Sequence, residues 1–239
     1  NIMIITDKKL IDHVSVEKTI KSIEQNNLHP ILFTDVSVEP TDSSFKKAIE
    51  FAITNSIDGF VGVGGGSSMD TAKAANLYST YPADFMTYVN APIGKGKLVP
   101  GKLKPMIAIP TTTGTGSETT GTAVFDYKEM NAKTAIAHRE LRPLIGLIDP
   151  ENVRTIPPNV VACSGLDVLC HGLESYTAIP FHTRNKPENP GLRPSYQGSN
   201  PISDIWSLTA VKMVAENIYN AVNDPGNHEA KSQMLLAAT

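Results

Sequence analysis

The sequence predicts an α/β fold, with a parallel sheet covered by helices in the first part of the chain and a helical part after it. Before Pro150, short apolar runs alternate with amphipathic stretches, which is the pattern of a parallel sheet with helices on both faces. After Pro150, two long segments carry apolar residues at helical spacing. We therefore expect an α/β domain over residues 1–150 and a helical domain over residues 151–239.

The predicted strands are short apolar runs, and helices are predicted between them. The strands are residues 2–5, 31–33, 59–63, 106–109 and 144–148, with residues 123–125 a weaker case. The helices run over residues 15–25, from the capping segment 41–44 onward, and over residues 69–78. In the second of these helices, Phe45, Ala48 and Ala52 share one face, and the preceding Thr and Ser side chains are typical N-caps.

In the second part of the chain, helices are predicted over residues 159–177 and 203–222. A loop rich in Pro, Asn and Arg (residues 180–201) separates them and is long enough to indicate a functional insertion. The chain begins without Met and stops within an apolar helical pattern at residues 234–238. We therefore expect a piece of a longer protein in which the helical domain is incomplete.

Composition indicates a globular protein and argues against two classes of partner. The 239 residues are 41% hydrophobic and 19% charged, as in folded proteins. The net charge of −3 favours neither nucleic acid nor an anionic membrane, and no apolar run is long enough to span a bilayer. Cys163 and Cys170 lie in one short segment, which is not typical of a disulfide framework and indicates a reducing compartment.

A run of glycines lies where a strand is expected to end and a helix to begin. Gly64, Gly65 and Gly66 allow the backbone to come close to an anion, and the following helix directs free N–H groups toward it. With Ser67, the run fits a diphosphate, and the alternative is a tight strand-to-helix turn without a ligand. Asp70 is expected to cap the helix or to brace the loop.

Polar residues also follow two other predicted strands. Thr111, Thr112 and Thr115 come after the strand at residues 106–109, at the edge where open α/β sheets bind ligands. Ordinary loop sequence is the alternative there. Asp7 follows the first strand, where a carboxylate can accept both hydroxyls of an adenosine ribose and repel a 2′-phosphate, although a helix cap is the alternative.

Asp167 and His171 stand four residues apart in a predicted helix. Their side chains therefore lie on one face, one turn apart, with Glu174 near the same line. A carboxylate and an imidazole suit Fe(II), Zn or Mn better than a metal that prefers thiolates. The pair is half of a metal site, because two more ligands have to come from elsewhere. By spacing alone, a solvated pair on the surface of a helix is the more common interpretation.

Taken together, these motifs resemble the iron-containing alcohol dehydrogenase family. The match runs along essentially the whole chain in the family's order: the strand with its terminal aspartate, the Gly-Gly-Gly-Ser-x-x-Asp run, the threonine loop and the helix with the carboxylate–imidazole pair. The spacing from Asp149 through Pro157 to Asp167 and Glu174 follows the family's first signature. Gly146 is a minor departure, since the family has a side chain there.

The resemblance implies a Rossmann-like dinucleotide-binding domain followed by a helical domain, with the active site in the cleft between them. It also implies NAD and a divalent metal, Fe(II) before Zn. Carried over by position, the cofactor-binding residues are Asp7, Gly64, Gly65, Gly66, Ser67, Asp70, Thr111, Thr112, Thr115 and Lys133, and the metal ligands are Asp167 and His171. The family's other two ligands are histidines in a context that neither His182 nor His228 shares, so this chain does not close the site by itself.

Within the family, segments such as residues 91–97, 114–121 and 193–206 are most similar to a mitochondrial branch that passes hydride between hydroxy acids and oxo acids through bound NAD. This similarity implies 4-hydroxybutyrate and 2-oxoglutarate as substrates. Their carboxylates need a cation, for which Arg184 and Arg193 in the insertion are candidates, although a solvent-exposed arginine is the plainer interpretation of each.

Two alternatives to this function stay open. Assembly of the protein into a homo-oligomer is also open. The first is an NAD-dependent primary alcohol or diol dehydrogenase of the same family, which releases NADH on every turnover. The second, from another class, is an inactive nucleotide-binding fragment.

Overall fold

The chain forms two compact units. The computed structural model describes residues 1–190, 193–194 and 196–239. The first unit, here called the sheet unit, comprises Asn1–Pro110 and Ser117–Leu147, and the second, the helical unit, comprises Thr111–Gly116 and Ile148–Thr239. The segment Thr111–Gly116 therefore belongs with the helices, which a single division at residue 150 does not anticipate. Residue 150 as a domain boundary stays a prediction.

Parallel strands form the main sheet of the sheet unit. The strands of this unit are β1 (Ile2–Ile5), β2 (Pro30–Phe33), β3 (Gly59–Gly64), β4 (Met106–Pro110), β5 (Thr122–Tyr127), β6 (Ala132–Ala137) and β7 (Ile145–Gly146). Five of them make one sheet in the order β2-β1-β3-β4-β7, and every neighbouring pair is parallel. In the central pair, Ile2 lies opposite Gly59 and Ile5 opposite Gly62.

Helices cover both faces of this sheet, which confirms the predicted α/β class. They are α1 (Val14–Gln25), α2 (Asp42–Thr54) and α3 (Gly66–Thr80). Successive residues of a strand point to opposite faces. Accordingly, Met3 and Ile5 join the core formed with α2 and α3, whereas Ile4 joins the core formed with α1. β3 is buried along its whole length, as expected for a central parallel strand.

The weaker strand prediction at residues 123–125 is confirmed, but this strand lies outside the main parallel sheet. β5 pairs in antiparallel register with β6 in a separate two-stranded hairpin, with Ala123 opposite Ile136. β6 was not predicted because Ile136 is its only large apolar residue, so it shows neither an apolar run nor clear alternation. The strand predicted at residues 144–148 shortens to two exposed residues at the edge of the sheet.

A buried ion pair fastens α3 to this hairpin. Lys73 is fully buried, and its Nζ donates to Asp70 Oδ1 (3.2 Å), Ser117 Oγ (2.6 Å) and the Thr122 carbonyl (2.7 Å). Asp70 also accepts hydrogen bonds from Ser117 Oγ (2.6 Å) and from the backbone N–H of Val124 (2.9 Å). Burial lowers the pKa of Lys73, and the adjacent Asp70 carboxylate opposes that shift. One charged pair therefore holds the first turns of α3 against the hairpin.

The helical unit contains α4 (Pro158–Thr177), α5 (Pro201–Asn223) and α6 (His228–Ala238), so the predicted long helices are confirmed. Two glycines of α4 allow the close packing of these helices. A Cβ on Gly172 would lie 2.8 Å from Val211 Cγ2 of α5, and one on Gly165 would lie 2.6 Å from Met234 Cε of α6. Val161, Val168 and Val214 form the centre of the core between them.

The loop between α4 and α5 carries a single short 3-10 helix, Phe181–Thr183, in its described part. This agrees with the irregular structure predicted for residues 180–201. None of the helices in the described residues combines the length and the apolar character that crossing a bilayer requires.

Replacing Lys73 by Met is expected to destabilise the protein by about 3 kcal/mol or more, because it leaves the Asp70 carboxylate buried without a counter-charge. Urea unfolding measures this free energy. The matched control is Lys21→Met, which removes an exposed pair with Glu17 and should cost about 0.5 kcal/mol or less. The double variant Asp70→Asn/Lys73→Met should be more stable than Lys73→Met alone. Equal unfolding midpoints for Lys73→Met and Lys21→Met would contradict this account.

Candidate nucleotide and metal site

Two of the predicted nucleotide-binding segments lie where the strand order of the sheet reverses. β1 and β3 are neighbours, but β2 lies on the outer side of β1 and β4 on the outer side of β3. Open α/β sheets bind ligands outside the carboxyl ends of the strands at such a reversal. Asp7 follows β1, and Gly64 ends β3. Because Ile5 and Gly62 are in parallel register, both segments lie at the same edge of the sheet.

The glycine run forms a tight turn whose backbone is available to a ligand. Gly64 has a φ of +151°, and a Cβ there would lie 2.5 Å from Ser68 Oγ, so only glycine fits. Gly65 is the N-cap of α3 and provides no capping side chain, and the N–H of Ser68 donates to the Gly65 carbonyl at 3.1 Å. The N–H groups of Gly66 and Ser67 are left for another acceptor. A phosphate oxygen is a suitable acceptor at such a helix terminus.

The two polar side chains of the run bind protein groups in this structure. The Ser67 hydroxyl donates to the Val38 carbonyl. Asp70 is 8% exposed, and both of its oxygens accept hydrogen bonds from protein donors. The turn therefore offers backbone rather than side chains to a diphosphate. This geometry supports the bracing role of Asp70, and a direct contact of Asp70 with the cofactor stays a prediction.

Asp7 has a structural role of its own. Its carboxylate caps the short 3-10 helix Lys8–Leu10 by accepting the N–H of Lys9 at 2.7 Å, which is the alternative that the sequence left open. One carboxylate oxygen is used in this bond. Contact with a ribose stays a prediction for Asp7.

A second carboxylate beside Asp7 was not predicted from the sequence. Asp35 follows β2 and forms an isolated antiparallel bridge with Asp7. Its oxygens lie 3.3 Å from Lys8 Nζ and 3.1 Å from Lys47 Nζ, and the hydrogen bonds from Lys47 and Lys8 lower the pKa of Asp35. Dinucleotide-binding folds use a carboxylate in this region for the ribose hydroxyls. The sequence pattern that could have identified Asp35 is the same as that of Asp7: an aspartate just after a short apolar strand.

Lys133 lies on β6 and is exposed. Its Nζ is 2.7 Å from Glu39 Oε2 and 3.7 Å from Asp126 Oδ1. The hydrogen bond with Glu39 is the main cause that raises the pKa of Lys133. These pairs tie β6 to the segment that follows β2. A contact of Lys133 with a cofactor stays a prediction.

The threonine segment packs directly on α4 within the helical unit. Thr113 Oγ1 lies 2.9 Å from Ser164 Oγ, and a Cβ on Gly114 would lie 2.0 Å from the Ser164 carbonyl oxygen. Thr111 is buried, and Thr115 is half-buried. Neither Thr113 nor Ser164 was predicted as a contact, because nothing in a sequence pairs residues 51 positions apart.

Two buried hydroxyls have no hydrogen-bond partner within the described residues. They are Thr112 Oγ1 in the helical unit and Thr6 Oγ1, which directly precedes Asp7 in the sheet unit. Buried polar groups are normally paired, so both hydroxyls are places where a bound molecule can complete the hydrogen bonding. Within the sheet unit, the Thr6 hydroxyl and the glycine turn suit a ligand that carries hydroxyl and phosphate groups.

Asp167 and His171 lie one turn apart on the exposed side of α4. His171 Nε2 is 3.8 Å from Asp167 Oδ1, and the two side chains are 55% and 47% exposed. No group of three or more His, Cys, Asp or Glu side chains in the described residues is arranged to hold a metal ion. The donor set therefore fits half of a divalent metal site. Ligation by these two residues stays a prediction.

Four of the other histidines have structural surroundings of their own. His13 and His138 are N-caps whose Nδ1 accepts the N–H of Ser15 and of Glu140, and burial lowers the pKa of both imidazoles. His182 packs edge-on against Phe181. His228 is the first residue of α6.

An open parallel sheet with a glycine turn at its strand-order reversal is the arrangement that nucleotide-binding α/β proteins share. Comparison with known families makes this more specific. The model of the iron-containing alcohol dehydrogenases matches residues 1–150. The chain belongs to the iron-containing alcohol dehydrogenase family, so the resemblance noted in its motifs is confirmed.

Relatives and solved structures extend the match to the whole chain. The hydroxyacid-oxoacid transhydrogenase, mitochondrial, of Xenopus tropicalis is 54% identical over 241 residues, which cover 100% of this chain and 52% of that protein. The iron-containing alcohol dehydrogenase of Thermococcus thioreducens is 28% identical with a TM-score of 0.84, covering 100% of this chain and 58% of that one. The sulfoacetaldehyde reductase of Bifidobacterium kashiwanohense, solved in complex with NAD+, is 28% identical with a TM-score of 0.82. The match covers 100% of this chain and 57% of that one. The chain spans about half the length of the curated relatives it matches.

Replacing Gly114 by Ala is expected to destabilise the helical unit by about 2 kcal/mol or more, because its Cβ would overlap the Ser164 carbonyl oxygen. Urea unfolding followed by circular dichroism measures the change. The matched control is Gly226→Ala, whose Cβ would meet its nearest atom at 3.4 Å and whose effect should stay within about 1 kcal/mol. A wild-type unfolding midpoint for Gly114→Ala would show that the segment does not need this close packing.

Proposed function

We propose that the protein containing this chain passes hydride between a hydroxy acid and an oxo acid through a bound NAD, in mitochondria. The match at 54% identity along the whole chain to a mitochondrial hydroxyacid-oxoacid transhydrogenase carries this proposal. The nucleotide-type turn in the sheet unit and the carboxylate–imidazole pair in the helical unit support it. The substrates are 4-hydroxybutyrate and 2-oxoglutarate, which give succinate semialdehyde and 2-hydroxyglutarate.

In this proposal, the sheet unit binds NAD. The turn from Gly64 to Ser67 binds the diphosphate through the backbone N–H groups of Gly66 and Ser67, because the Ser67 hydroxyl is already used by a protein carbonyl. Asp7 binds the ribose hydroxyls, and Asp35 adds a second negative charge beside it. NAD, when bound, supplies the centre that accepts a hydride from the hydroxy acid and returns it to the oxo acid.

In the helical unit, Asp167 and His171 hold a divalent metal, for which Fe(II) is the first choice and Zn the second. His171 binds through the lone pair of a neutral imidazole, and Asp167 contributes negative charge. A bound metal supplies a Lewis acid that lowers the pKa of the substrate alcohol and stabilises charge on its oxygen. The Thr112 hydroxyl, buried and unpaired in the described residues, is available to hydrogen-bond a bound molecule.

An ordinary alcohol or diol dehydrogenase is the second candidate function. The 28% identity to the iron-containing alcohol dehydrogenase of Thermococcus thioreducens over the whole chain favours it. The two reactions differ in the fate of NADH. A transhydrogenase reoxidises it on the enzyme with the second substrate, whereas a dehydrogenase releases one NADH for each alcohol oxidised.

The decisive experiment supplies the full-length, metal-loaded enzyme with 4-hydroxybutyrate, 2-oxoglutarate and no added NAD. We expect 2-hydroxyglutarate to form over many turnovers, while the absorbance of free NADH stays flat. Turnover that depends on stoichiometric added NAD and accumulates NADH would favour the dehydrogenase instead. Tight NAD binding by calorimetry without metal binding or turnover would favour a nucleotide-binding protein with no activity.

The carboxylates of Asp7 and Asp35 are expected to exclude NADP, because each would repel a 2′-phosphate on the ribose. The double variant Asp7→Ser/Asp35→Ser should lower the ratio of the NADP to the NAD dissociation constant by about tenfold or more. Calorimetric titration with each dinucleotide measures this ratio, and the single variants assign the effect. Asp58→Ser is the matched control, because Asp58 lies before β3 at the opposite end of that strand. An unchanged ratio in the double variant would remove both residues from the ribose site.

A further inference from the structure

We propose that the insertion between α4 and α5 recognises the carboxylate of the substrate, and that Arg184 supplies the guanidinium that binds it. The insertion is taken here as residues 178–200, of which residues 178–190, 193–194 and 196–200 are described. The inference rests on the proposed function, because it names a specificity residue of that reaction. Its evidence comes from the helical unit alone.

The two ends of the insertion meet in a closed neck. The N–H of Phe181 donates to the Ser199 carbonyl at 3.0 Å. Gly198 has a φ of +111°, and a Cβ there would lie 2.0 Å from the Ile179 carbonyl oxygen. Because only glycine permits this approach, the close contact of the two ends is built into the sequence.

The neck continues directly into the capped start of α5. Ser199 Oγ lies 3.0 Å from both carboxylate oxygens of Asp204. Asn200 caps α5 by accepting the N–H groups of Ile202 (3.1 Å) and Ser203 (3.0 Å). These bonds give the neck a defined position on a long helix.

A tyrosine anchors the insertion to the side of α4 that carries Asp167 and His171. The Tyr196 hydroxyl donates to the Ser175 carbonyl at 2.7 Å and accepts from Ser175 Oγ at 3.1 Å. Ser175 lies one turn beyond His171 and two turns beyond Asp167, and residues spaced by four lie along one side of a helix. The insertion is therefore held at the end of the row formed by Asp167, His171 and Ser175.

Arg184 lies at this neck, and no acidic partner of its side chain is found in the described part of the chain. Its Nε is 3.0 Å from the position that a Cβ on Gly198 would occupy, which puts the side chain against the neck. Gly198 follows the anchoring Tyr196 by two residues. Among the described residues, no carboxylate forms an ion pair with Arg184. A guanidinium presents donors in a planar fork that matches a carboxylate. Arg193 lies farther out in the insertion, where its backbone N–H donates to the Pro190 carbonyl.

This placement suits a substrate that has its reacting alcohol at one end and a carboxylate at the other. In the proposed function, the alcohol end of such a molecule reacts at the metal held by Asp167 and His171. Arg184 lies in the insertion, which is anchored to the same helix. Arg184 should therefore distinguish 4-hydroxybutyrate from 1,4-butanediol, which replaces the carboxylate by a neutral hydroxymethyl group.

The test compares kcat/KM for these two substrates in the full-length enzyme loaded with NAD and Fe(II). Arg184→Met should lower kcat/KM for 4-hydroxybutyrate by about ten- to a hundredfold, mainly through KM, and leave that for 1,4-butanediol within about twofold. Arg184→Lys should retain part of the preference for 4-hydroxybutyrate over 1,4-butanediol. Tyr196→Phe should lower this preference, as Arg184→Met does. Lys186→Met, an exposed cation of the same insertion, is the matched control and should change neither value.

The outcomes separate this inference from the function on which it rests. Equal losses for both substrates in Arg184→Met, or no loss for either, would overturn the role of Arg184, and so would a selective loss in Arg193→Met alone. Thermal unfolding of each variant shows whether an equal loss of kcat/KM for both substrates comes from misfolding. If it does, Arg184→Lys decides: a kept preference for 4-hydroxybutyrate supports the role of Arg184, and a lost preference contradicts it. A wild-type enzyme that oxidises neither substrate would overturn the proposed function itself.

Discussion

The buried ion pair between Lys73 and Asp70 is the interaction on which the sheet unit depends. It lies one turn beyond the glycine turn, and it fastens α3 to a hairpin that is not part of the main sheet. Burying two charges is costly, and only a full set of hydrogen bonds compensates for it. Ser117, Thr122 and Val124 provide that set. The direction in which the start of α3 points is therefore set by contacts far along the chain as well as by the glycines before it.

The main sheet and the long helices could be predicted because their burial leaves a local pattern. A central parallel strand such as β3 is apolar throughout, and the cap at Thr41 precedes the helical face that begins at Phe45. The elements that were missed lack this signal. β6 is stabilised by pairing with β5 and contributes one large buried side chain, Ile136, so its sequence alone resembles a loop. The segment Thr111–Gly116 packs on α4 through Gly114, a contact set by distant residues.

The candidate site shows the same limit. Strand ends and glycine turns were predicted one at a time, and register then brought the ends of β1 and β3 to one edge. Asp35 was missed because its closeness to Asp7 depends on which strands are neighbours. Ser67 was predicted to contribute to a diphosphate site and Asp70 to cap the helix or brace the loop, and in the structure both side chains bind partners on other segments, the Val38 carbonyl and the Val124 N–H. A sequence identifies residue types suited to a chemistry, but it does not show which of them are already engaged by the protein.

The chain crosses between the two units three times, at residues 110–111, 116–117 and 147–148. Such a protein is not modular in the way that its two-part sequence pattern suggests. A gene fusion or limited proteolysis directly after Leu147 would leave the segment Thr111–Gly116 of the helical unit on the fragment that carries the sheet. Recombination that exchanges one unit between relatives has to carry this short segment along with the helices.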